Sequence, residues 1–410
     1  MTSLRWTPLS QGKTMQLSMW TYAWDIQDQG LAKVTADLCA GSRLNTISLA
    51  TSYHAGHFLQ PRSPHCKSYF PEDGTVYYQP QEELWEGKRI RPLMAKNLSE
   101  RGDMLEALVN ARENGGPAVS CWTVCLHNTR LGLLHPEDVT RNAFGDANPF
   151  NLCPSSPAAR DYVVTMVRDI TTHYKPDRVE LESPNFMGFL HGFHHEKDGV
   201  GLTAEDDFLF SLCFCDHCRT AALNAGIDYY GARATVRQFL AEACEREIPQ
   251  TQFPDFPARG PDAFISYPEL HAYIVWRSEP VTSLVREVRN QADKASRIVV
   301  LVDQKEGWVG GVDLAAIGKV CDGAILCGYD MDADAVAALM ARGRATLGPH
   351  KFLGTAFRVF YPEMRNCEDL GERVEAAVRG GADGVNFYNY GLIPQKRLDW
   401  VRAAIDRISS

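Results

Sequence analysis

The sequence lacks the long hydrophobic runs that mark membrane proteins. Among its 410 residues, no apolar stretch approaches the roughly 18–20 residues that a transmembrane helix requires. Residues 1–13 are polar and have no hydrophobic core of the kind found in signal peptides. We therefore expect a cytoplasmic protein without a membrane partner.

Basic residues and cysteines are also scarce. Lys and Arg total 42 against 51 Asp and Glu, which leaves a net charge of −9. Nucleic acids and anionic membranes select basic surfaces, so this balance argues against both as main partners. The 12 cysteines are too few for a disulfide framework in a chain of this length, and most are expected to be reduced thiols.

The chain contains no internal repeat and no linker rich in Pro, Gly or Ser, so we expect one domain over residues 1–410. Its recurring unit is a short β-prone run and a helical pattern, which predicts a parallel sheet. Strands are predicted at 15–24, 44–51, 118–126, 178–183, 297–303, 323–328, 352–360 and 384–388. Eight such units, with no Gly-x-Gly-x-x-Gly after any strand, predict an α/β fold of the (β/α)8, or TIM barrel, type rather than a dinucleotide-binding sheet.

Two connections in this pattern are long, and both follow a strand. Residues 54–92 follow the second strand and include a Gly-centred hairpin signature at 68–78. Residues 184–264 follow the fourth strand and contain a cluster of cysteines. Both insertions should rise from the C-terminal face of the barrel, where barrel enzymes build their active sites.

The predicted fourth strand carries two glutamates on one face. Side chains alternate along a strand, so Glu180 and Glu182 should point into the barrel while Val179 and Leu181 pack against helices. A buried glutamate is costly unless it is paired or functional. Because Glu182 lies nearest the rim, we expect it to be catalytic and Glu180 to be a positioning or structural residue. An ion pair of Glu182 with Arg358 is the alternative.

A second carboxylate is expected at the rim. Asp303 ends the predicted fifth strand and is the preferred candidate, because no helix begins directly after it. Asp330 ends the sixth strand and is equally explained as the N-cap of the next helix. Two carboxylates across a cleft are the groups that glycosidic bond cleavage requires.

Aromatic and polar residues suited to a sugar also fall near predicted strand ends. Aromatic faces pack on the C–H faces of a sugar ring, and polar side chains bond its hydroxyls. The candidate substrate-binding residues are Trp20, Trp24, Asp25, Tyr53, His54, Trp122, His127, Asn128, Asn185, Trp308, Tyr329, Tyr388 and Asn389.

A Cys-x-Cys-x-x-Cys motif predicts a metal site. Cys213, Cys215 and Cys218 supply three thiolates, and tetrahedral Zn²⁺ takes four ligands. Cys153 is the upstream candidate for the fourth, with His217 and His194 as alternatives. Such a zinc ion would be structural, and no cofactor is expected for catalysis. A catalytic metal on His191, His194 and His195 is disfavoured, because that run lacks the helical spacing of His-Glu-x-x-His.

These motifs resemble a known group of proteins. The segment Cys-Phe-Cys-Asp-His-Cys-Arg-Thr-Ala resembles the one that follows the fourth strand in family 42 β-galactosidases, barrel hydrolases in which some members bind structural zinc with an upstream cysteine. With Asn-Leu-Cys-Pro-Ser-Ser-Pro-Ala-Ala-Arg, it makes the chain similar to hypothetical glycoside hydrolase-like barrel proteins. The resemblance implies that Glu182 is the acid/base. It departs at Leu181, where the clan has Asn, and at the seventh strand, where Glu363 comes late for a nucleophile.

The sequence therefore predicts a glycoside hydrolase that acts on a small carbohydrate or glycoside. A metal-dependent sugar isomerase or epimerase, using Glu182, Asp303 and His127 as ligands, is one alternative. A non-catalytic carbohydrate-binding barrel is the other. Association into a homo-oligomer is left open.

Overall fold

The computed structural model describes residues 14–191, 195–302 and 306–409. Its centre is a closed barrel of eight parallel strands. They are β1 (Gln16–Thr21), β2 (Thr46–Tyr53), β3 (Ala118–Val124), β4 (Arg178–Glu182), β5 (Arg297–Val302), β6 (Gly323–Cys327), β7 (Phe352–Arg358) and β8 (Gly384–Tyr388).

The barrel closes because β1 pairs in parallel with both β2 and β8. Every other strand pairs with its neighbours in chain order, which is the topology of a (β/α)8 barrel. The prediction of this fold is confirmed, and each predicted strand end lies within three residues of the observed one. The apolar run in β5 is buried in the sheet, as is usual where helices cover a parallel sheet.

Helices cover the outside of the barrel in the connections between strands. They are Ala23–Gln29, Leu31–Thr35, Met104–Glu113, Pro157–His173, Ser278–Gln291, Leu314–Val320, Ala333–Leu347, Cys367–Arg379 and Gln395–Ile408, with a π-helical turn at Ala36–Gly41. Several begin at residues whose side chains accept a backbone N–H of the first turn, as N-caps do. Asp103, Ser156, Asp313, Asp332 and Asn366 play this role.

Three connections at the C-terminal ends of the strands are longer than the rest. After β2 lie short strands (Phe58–Leu59, Ser68–Tyr69, Thr75–Val76 and Leu93–Met94) and helices Glu82–Trp85 and Lys96–Arg101. After β3 come helix Thr129–Leu134 and strands Val139–Arg141 and Ala147–Leu152. After β4 come helices Ala204–Ser211, Asp216–Asn224, Tyr229–Glu245 and Pro268–Trp276, with a 3-10 turn at Gly260–Phe264. Two further 3-10 turns lie at Gly307–Gly310 and Tyr390–Leu392.

The hairpin predicted at residues 68–78 is wrong in its pairing. Ser68–Tyr69 pairs with Phe58–Leu59, whereas Thr75–Val76 pairs with the end of β2. Gly74 has φ +64°, and a Cβ there would lie 2.0 Å from Oδ1 of Asn128. The glycine therefore permits a close approach between two rim connections, and it does not form the tip of a hairpin.

The antiparallel pair Val139–Arg141 and Ala147–Leu152 was not predicted, although it carries Cys153 at its end. No helix in the described part of the chain is long and apolar enough to cross a lipid bilayer.

Candidate active site

The two glutamates of β4 point into the barrel, as the alternation of side chains predicts. Glu180 is fully buried and accepts three hydrogen bonds. Trp20 Nε1 and Ser48 Oγ donate to its Oε2 at 2.7 and 2.8 Å, and Asn386 Nδ2 donates to its Oε1 at 3.2 Å. These donors come from β1, β2 and β8, so Glu180 ties four strands together from inside the barrel. This is a structural role.

Glu182 lies one level higher, at the carboxyl end of β4, and is half-buried. The indole Nε1 of Trp122, on β3, donates a hydrogen bond to its carboxylate. The backbone after Trp122 continues to pair with β4, since Cys125 N donates to the Glu182 carbonyl at 2.9 Å. The side chain of Glu182 is therefore held by Trp122 of β3, and its backbone by the residues that follow β3.

The residue after Glu182 is in a strained conformation. Ser183 has φ 49°, in the left-handed region that a non-glycine residue adopts at a cost of about 1–3 kcal/mol. Such conformations persist where the surrounding structure holds them, and they concentrate at functional sites. Its position next to Glu182 marks this rim of the barrel as the candidate active site.

Three tyrosines form a hydrogen-bonded cluster beside Glu182. The hydroxyl of Tyr22 lies 3.0 Å from that of Tyr53 and 2.8 Å from that of Tyr388, and the last two are 3.3 Å apart. Burial raises the pKa of all three, and the charge of Glu182 raises those of Tyr53 and Tyr388 further. The phenols therefore remain protonated near neutral pH and act as hydrogen-bond donors. Tyr22 was missed in the sequence, because it follows β1 next to two more conspicuous tryptophans.

The indole of Trp122 connects this cluster to the barrel interior. Its ring centroid lies 5.2 Å from Tyr53, 5.6 Å from Tyr388 and 5.5 Å from Trp20. Trp20 is 1% exposed and occupies the level of Glu180, so it supports the site from below and is not open to a substrate.

Two further candidates for substrate binding, Trp24 and Asp25, are almost fully buried. Trp24 is 1% exposed and stacks on Tyr22 at 4.3 Å, behind the tyrosine cluster. Asp25 is also 1% exposed, and its Oδ2 accepts the backbone N–H of Tyr22 at 2.9 Å as part of a capping box. Burial raises the pKa of Asp25 to about 7.

His54 and His127 lie together at the rim of β2 and β3. Their rings stack at 4.1 Å, and His191 meets His127 edge-on at 4.7 Å. Burial lowers the pKa of His54 to about 4 and that of His127 well below its ordinary value. Both imidazoles are therefore neutral at pH 7 and suited to hydrogen bonding with hydroxyls.

Three polar candidates form hydrogen bonds with backbone groups of the protein. Asn128 caps helix Thr129–Leu134 and donates to Gly74 O at 3.1 Å, and Asn185 donates to the Phe186 carbonyl at 2.9 Å. Asn389 is buried and accepts from Gly391 N at 2.9 Å. These bonds provide each with a structural role.

Trp308 lies in the packing of the connection after β4. Its indole donates to the Pro257 carbonyl at 3.2 Å, and its ring meets Phe208 at 5.1 Å. Trp308 therefore orders the connection after β4 through this packing.

The second carboxylate is the least defined part of the site. Asp303, the preferred candidate, lies outside the described residues. Asp330 is exposed after β6, and it is Asp332 that caps the following helix, so the capping role considered for Asp330 is wrong. Glu363 forms an ion pair with Arg358 at 3.5 Å.

Arg358 ends β7 and points to the same rim as Tyr388, its neighbour in register. Its guanidinium lies 4.4 Å from the ring of Tyr329, which is half-buried at the end of β6. A cation thus occupies the strand end where the resembling clan has its nucleophile. The sequence pattern indicated Arg358 only as an ion-pair partner of Glu182.

The four predicted cysteine ligands come together. Cys153 Sγ lies 3.9 Å from Cys213 Sγ, 3.6 Å from Cys215 Sγ and 3.5 Å from Cys218 Sγ, and all four are buried. Tetrahedral Zn²⁺ with Zn–S bonds of about 2.3 Å requires sulfurs about 3.8 Å apart, so the four thiols fit this ion. Cys215 caps helix Asp216–Asn224, and Cys218 lies in its first turn.

Of the two alternative fourth ligands, His217 is not part of the thiol cluster and lies 3.4 Å from an oxygen of Asp138. His194 lies outside the described residues, and His195 is exposed. Among the described side chains, the groups that could hold a metal are the four cysteines and the set His135, Glu137 and Asp138, neither of which includes Glu182 or His127.

Comparison with known proteins identifies the fold class. No protein-family model matches the chain, and no curated protein sequence matches it. Solved structures do match, and several of them are glycoside hydrolases by name. The catalytic domain of a β-amylase from Paenibacillus polymyxa has a TM-score of 0.56 and 12% identity, over 96% of this chain and 98% of that domain.

Two larger enzymes are similar over part of their length. The α-L-fucosidase isoenzyme 2 from Paenibacillus thiaminolyticus has a TM-score of 0.52 and 12% identity, over 97% of this chain and 49% of its own. The β-galactosidase from Marinomonas ef1 has a TM-score of 0.52 and 12% identity, over 96% of this chain and 59% of its own. The chain thus spans about half the length of the fucosidase. At this identity the likeness establishes a (β/α)8 barrel fold of the kind that these hydrolases share.

Proposed function

We propose that this protein is a glycoside hydrolase in which Glu182 is the general acid or acid/base. The observation that carries the proposal is the half-buried carboxylate at the carboxyl end of β4, bonded by an indole and surrounded by aromatic side chains. Barrel enzymes carry their chemistry at this face. The glycoside hydrolases among the similar structures support the same class of activity.

The residues around Glu182 have different roles in this proposal. Protonated Glu182 would donate its proton to the glycosidic oxygen as the bond to the leaving group breaks. The Trp122 indole holds the carboxylate in position, and Tyr53 and Tyr388 supply hydroxyls next to it. Tyr388 is half-buried, so its ring is available to a sugar face. The neutral imidazole of His54, also half-buried, can bond a hydroxyl.

The partner carboxylate in this proposal is Asp303, with Asp330 as the second choice. Asp303 follows the last residue of β5, the strand next to β4. A separation near 5.5 Å between the two carboxyl groups would give retention of anomeric configuration, and about 6.5–9.5 Å would give inversion. Glu363 is less suitable because Arg358 already pairs with it.

The proposal is tested with a panel of nitrophenyl glycosides. Wild-type protein should hydrolyse at least one member, and Glu182→Gln should reduce kcat/KM by about 10²–10⁴, the usual contribution of general acid catalysis. Glu372→Gln is the matched control, because Glu372 is exposed on helix Cys367–Arg379. Asp303→Asn and Asp330→Asn then identify the second carboxylate by which of them loses activity.

Two results would overturn the proposal. Sugar binding without turnover in wild type would indicate a non-catalytic carbohydrate-binding barrel. Interconversion of free sugars that is abolished by a chelator would indicate the isomerase, although no cluster of possible ligands in the described residues contains Glu182.

We also propose that the four cysteines bind a structural Zn²⁺. The thiols join the strand pair after β3 to the helical connection after β4, so the ion would clamp two rim segments. Four protein ligands leave no open position for catalysis. Metal analysis should find one zinc per chain in wild type and loss of that zinc in Cys215→Ser. Cys244→Ser is the control, because that thiol is exposed and outside the cluster; full zinc retention in Cys215→Ser would refute the assignment.

A further inference from the structure

A cavity of about 1010 Å³ lies at the end of the barrel opposite the candidate active site. Its lining includes Gln16 at the start of β1, Arg178 at the start of β4, Arg297 at the start of β5 and Phe352 at the start of β7. The cavity is therefore at the N-terminal mouth of the barrel. The proposed hydrolase chemistry makes no use of it.

Arg178 is the unusual residue in this cavity. It is 4% exposed, and its guanidinium carbon lies 3.7 Å from the ring centroid of Phe352. Its Nε and Nη1 are buried and have no hydrogen-bond partner within residues 14–191, 195–302 and 306–409. The carboxylate of Glu180, two residues along the same strand face, offsets part of the Arg178 charge. The two unbonded donors still carry a cost, which an anion close to the guanidinium would reduce.

The other polar groups of the cavity add to this surplus of donors. Gln16 Nε2 is also buried without a partner among the described side chains and backbone groups. The two acids of the lining are already committed, because Asp322 pairs with Arg289 at 3.0 Å and Asp383 pairs with Arg344 at 2.6 Å.

Two more cations remain to face the cavity. Arg297 is exposed at its edge, and Lys351 donates to a neutral carbonyl, that of Cys321, at 2.6 Å. In a chain with a net charge of −9, this concentration of positive charge is local.

We propose that the cavity binds a phosphate group, either as free phosphate or as a small phosphomonoester. Cations approach from β4 and β5 and from Lys351, next to β7, so a ligand with acceptor oxygens in several directions can bond them together. The three cations Arg178, Arg297 and Lys351 match a dianion. Guanidinium groups are well suited to phosphate, since their fixed fork of donors can bond two oxygens at once.

Titration calorimetry of the full chain at low salt tests this site with two probes, inorganic phosphate and glucose 6-phosphate. Saturable binding of both with equal affinity would support a site for phosphate alone, and tighter binding of the sugar phosphate would support a phosphomonoester site. In either case Arg178→Met and Arg297→Met should each weaken binding at least about tenfold. Arg402→Met is the control, because Arg402 is half-exposed on the outer helix Gln395–Ile408.

The absence of saturable binding of both probes at millimolar concentration would overturn the proposal. Unchanged affinity in the arginine variants would do the same. Arg297 is exposed at the start of its strand, so Arg297→Met should fold and report on the site even if Arg178→Met does not.

Discussion

Removing the carboxylate of Glu180 should lower the free energy of unfolding of the barrel more than any change at Glu182. In Glu180→Ala, the buried donors of Trp20, Ser48 and Asn386 lose their acceptor at once. Each unsatisfied buried donor costs about 1–3 kcal/mol, and breaking a buried charged network costs about 3–5 kcal/mol. We expect the free energy of unfolding to fall by about 4 kcal/mol.

Glu180→Gln provides a sharper comparison. Its amide oxygen can still accept from Trp20 and Ser48 at the position of Oε2. Its NH2 group would face Asn386, whose Oδ1 is buried, has no partner in the described part of the chain and can turn to accept it. The expected cost is therefore about 1 kcal/mol, since one hydrogen bond is exchanged for another.

Urea unfolding at pH 7, followed by tryptophan fluorescence and far-UV circular dichroism, measures both values. Glu182→Gln should change the free energy of unfolding by about 1 kcal/mol or less, because that side chain is half-buried and the amide oxygen can still accept from the Trp122 indole. A cost below about 1 kcal/mol for Glu180→Ala would refute the structural role of Glu180. Equal costs for the Ala and Gln variants would show that charge, and not hydrogen bonding, holds the strands together.

Three further predictions concern the surroundings of the site. Burial raises the pKa of Asp25 from 3.8 to about 7, so the folded state retains a proton that the unfolded chain loses, and the free energy of unfolding falls as pH rises through this range. The free energy of unfolding of Asp25→Asn, measured relative to wild type, should therefore increase by about 2–3 kcal/mol between about pH 5 and about pH 8. A difference that does not change with pH would contradict this. Tyr22→Phe removes a hydroxyl bonded to Tyr53 and Tyr388 and should lower the free energy of unfolding by about 1–2 kcal/mol, with no loss expected if the cluster is unimportant. Gly74→Ala places a methyl group against Asn128 at positive φ and should lower the melting temperature by several degrees, whereas an unchanged melting temperature would refute the close approach.

The barrel could be predicted from the sequence because its signals are local. Short apolar runs alternate with helical patterns, and the alternation within β4 alone places Glu180 and Glu182 inside. The cysteine cluster was also predictable, since three thiols share one short motif. Cys153, the upstream candidate for the fourth ligand, joins them through a strand pair that the sequence did not reveal.

Four predicted substrate-binding residues bond or pack within the protein for a shared physical reason. Trp24 and Asp25 follow β1 as substrate-binding residues would, but a helix begins directly after the strand and turns both inward. Asn128 and Asn389 stand at strand ends, where the turns that follow use their side chains as caps. Whether a polar side chain at a strand end bonds a ligand or its own backbone depends on the next few dihedral angles, which residue type alone does not determine.

The most direct test of Glu182 as general acid compares leaving groups on one sugar. Dinitrophenyl glycosides depart without protonation, whereas phenyl glycosides need a proton from the acid. With the sugar that wild type hydrolyses best, Glu182→Gln should retain most of its kcat/KM on the dinitrophenyl glycoside and lose about 10²–10⁴ on the phenyl glycoside. An equal loss on both substrates, or no loss on either, would contradict the assignment of Glu182.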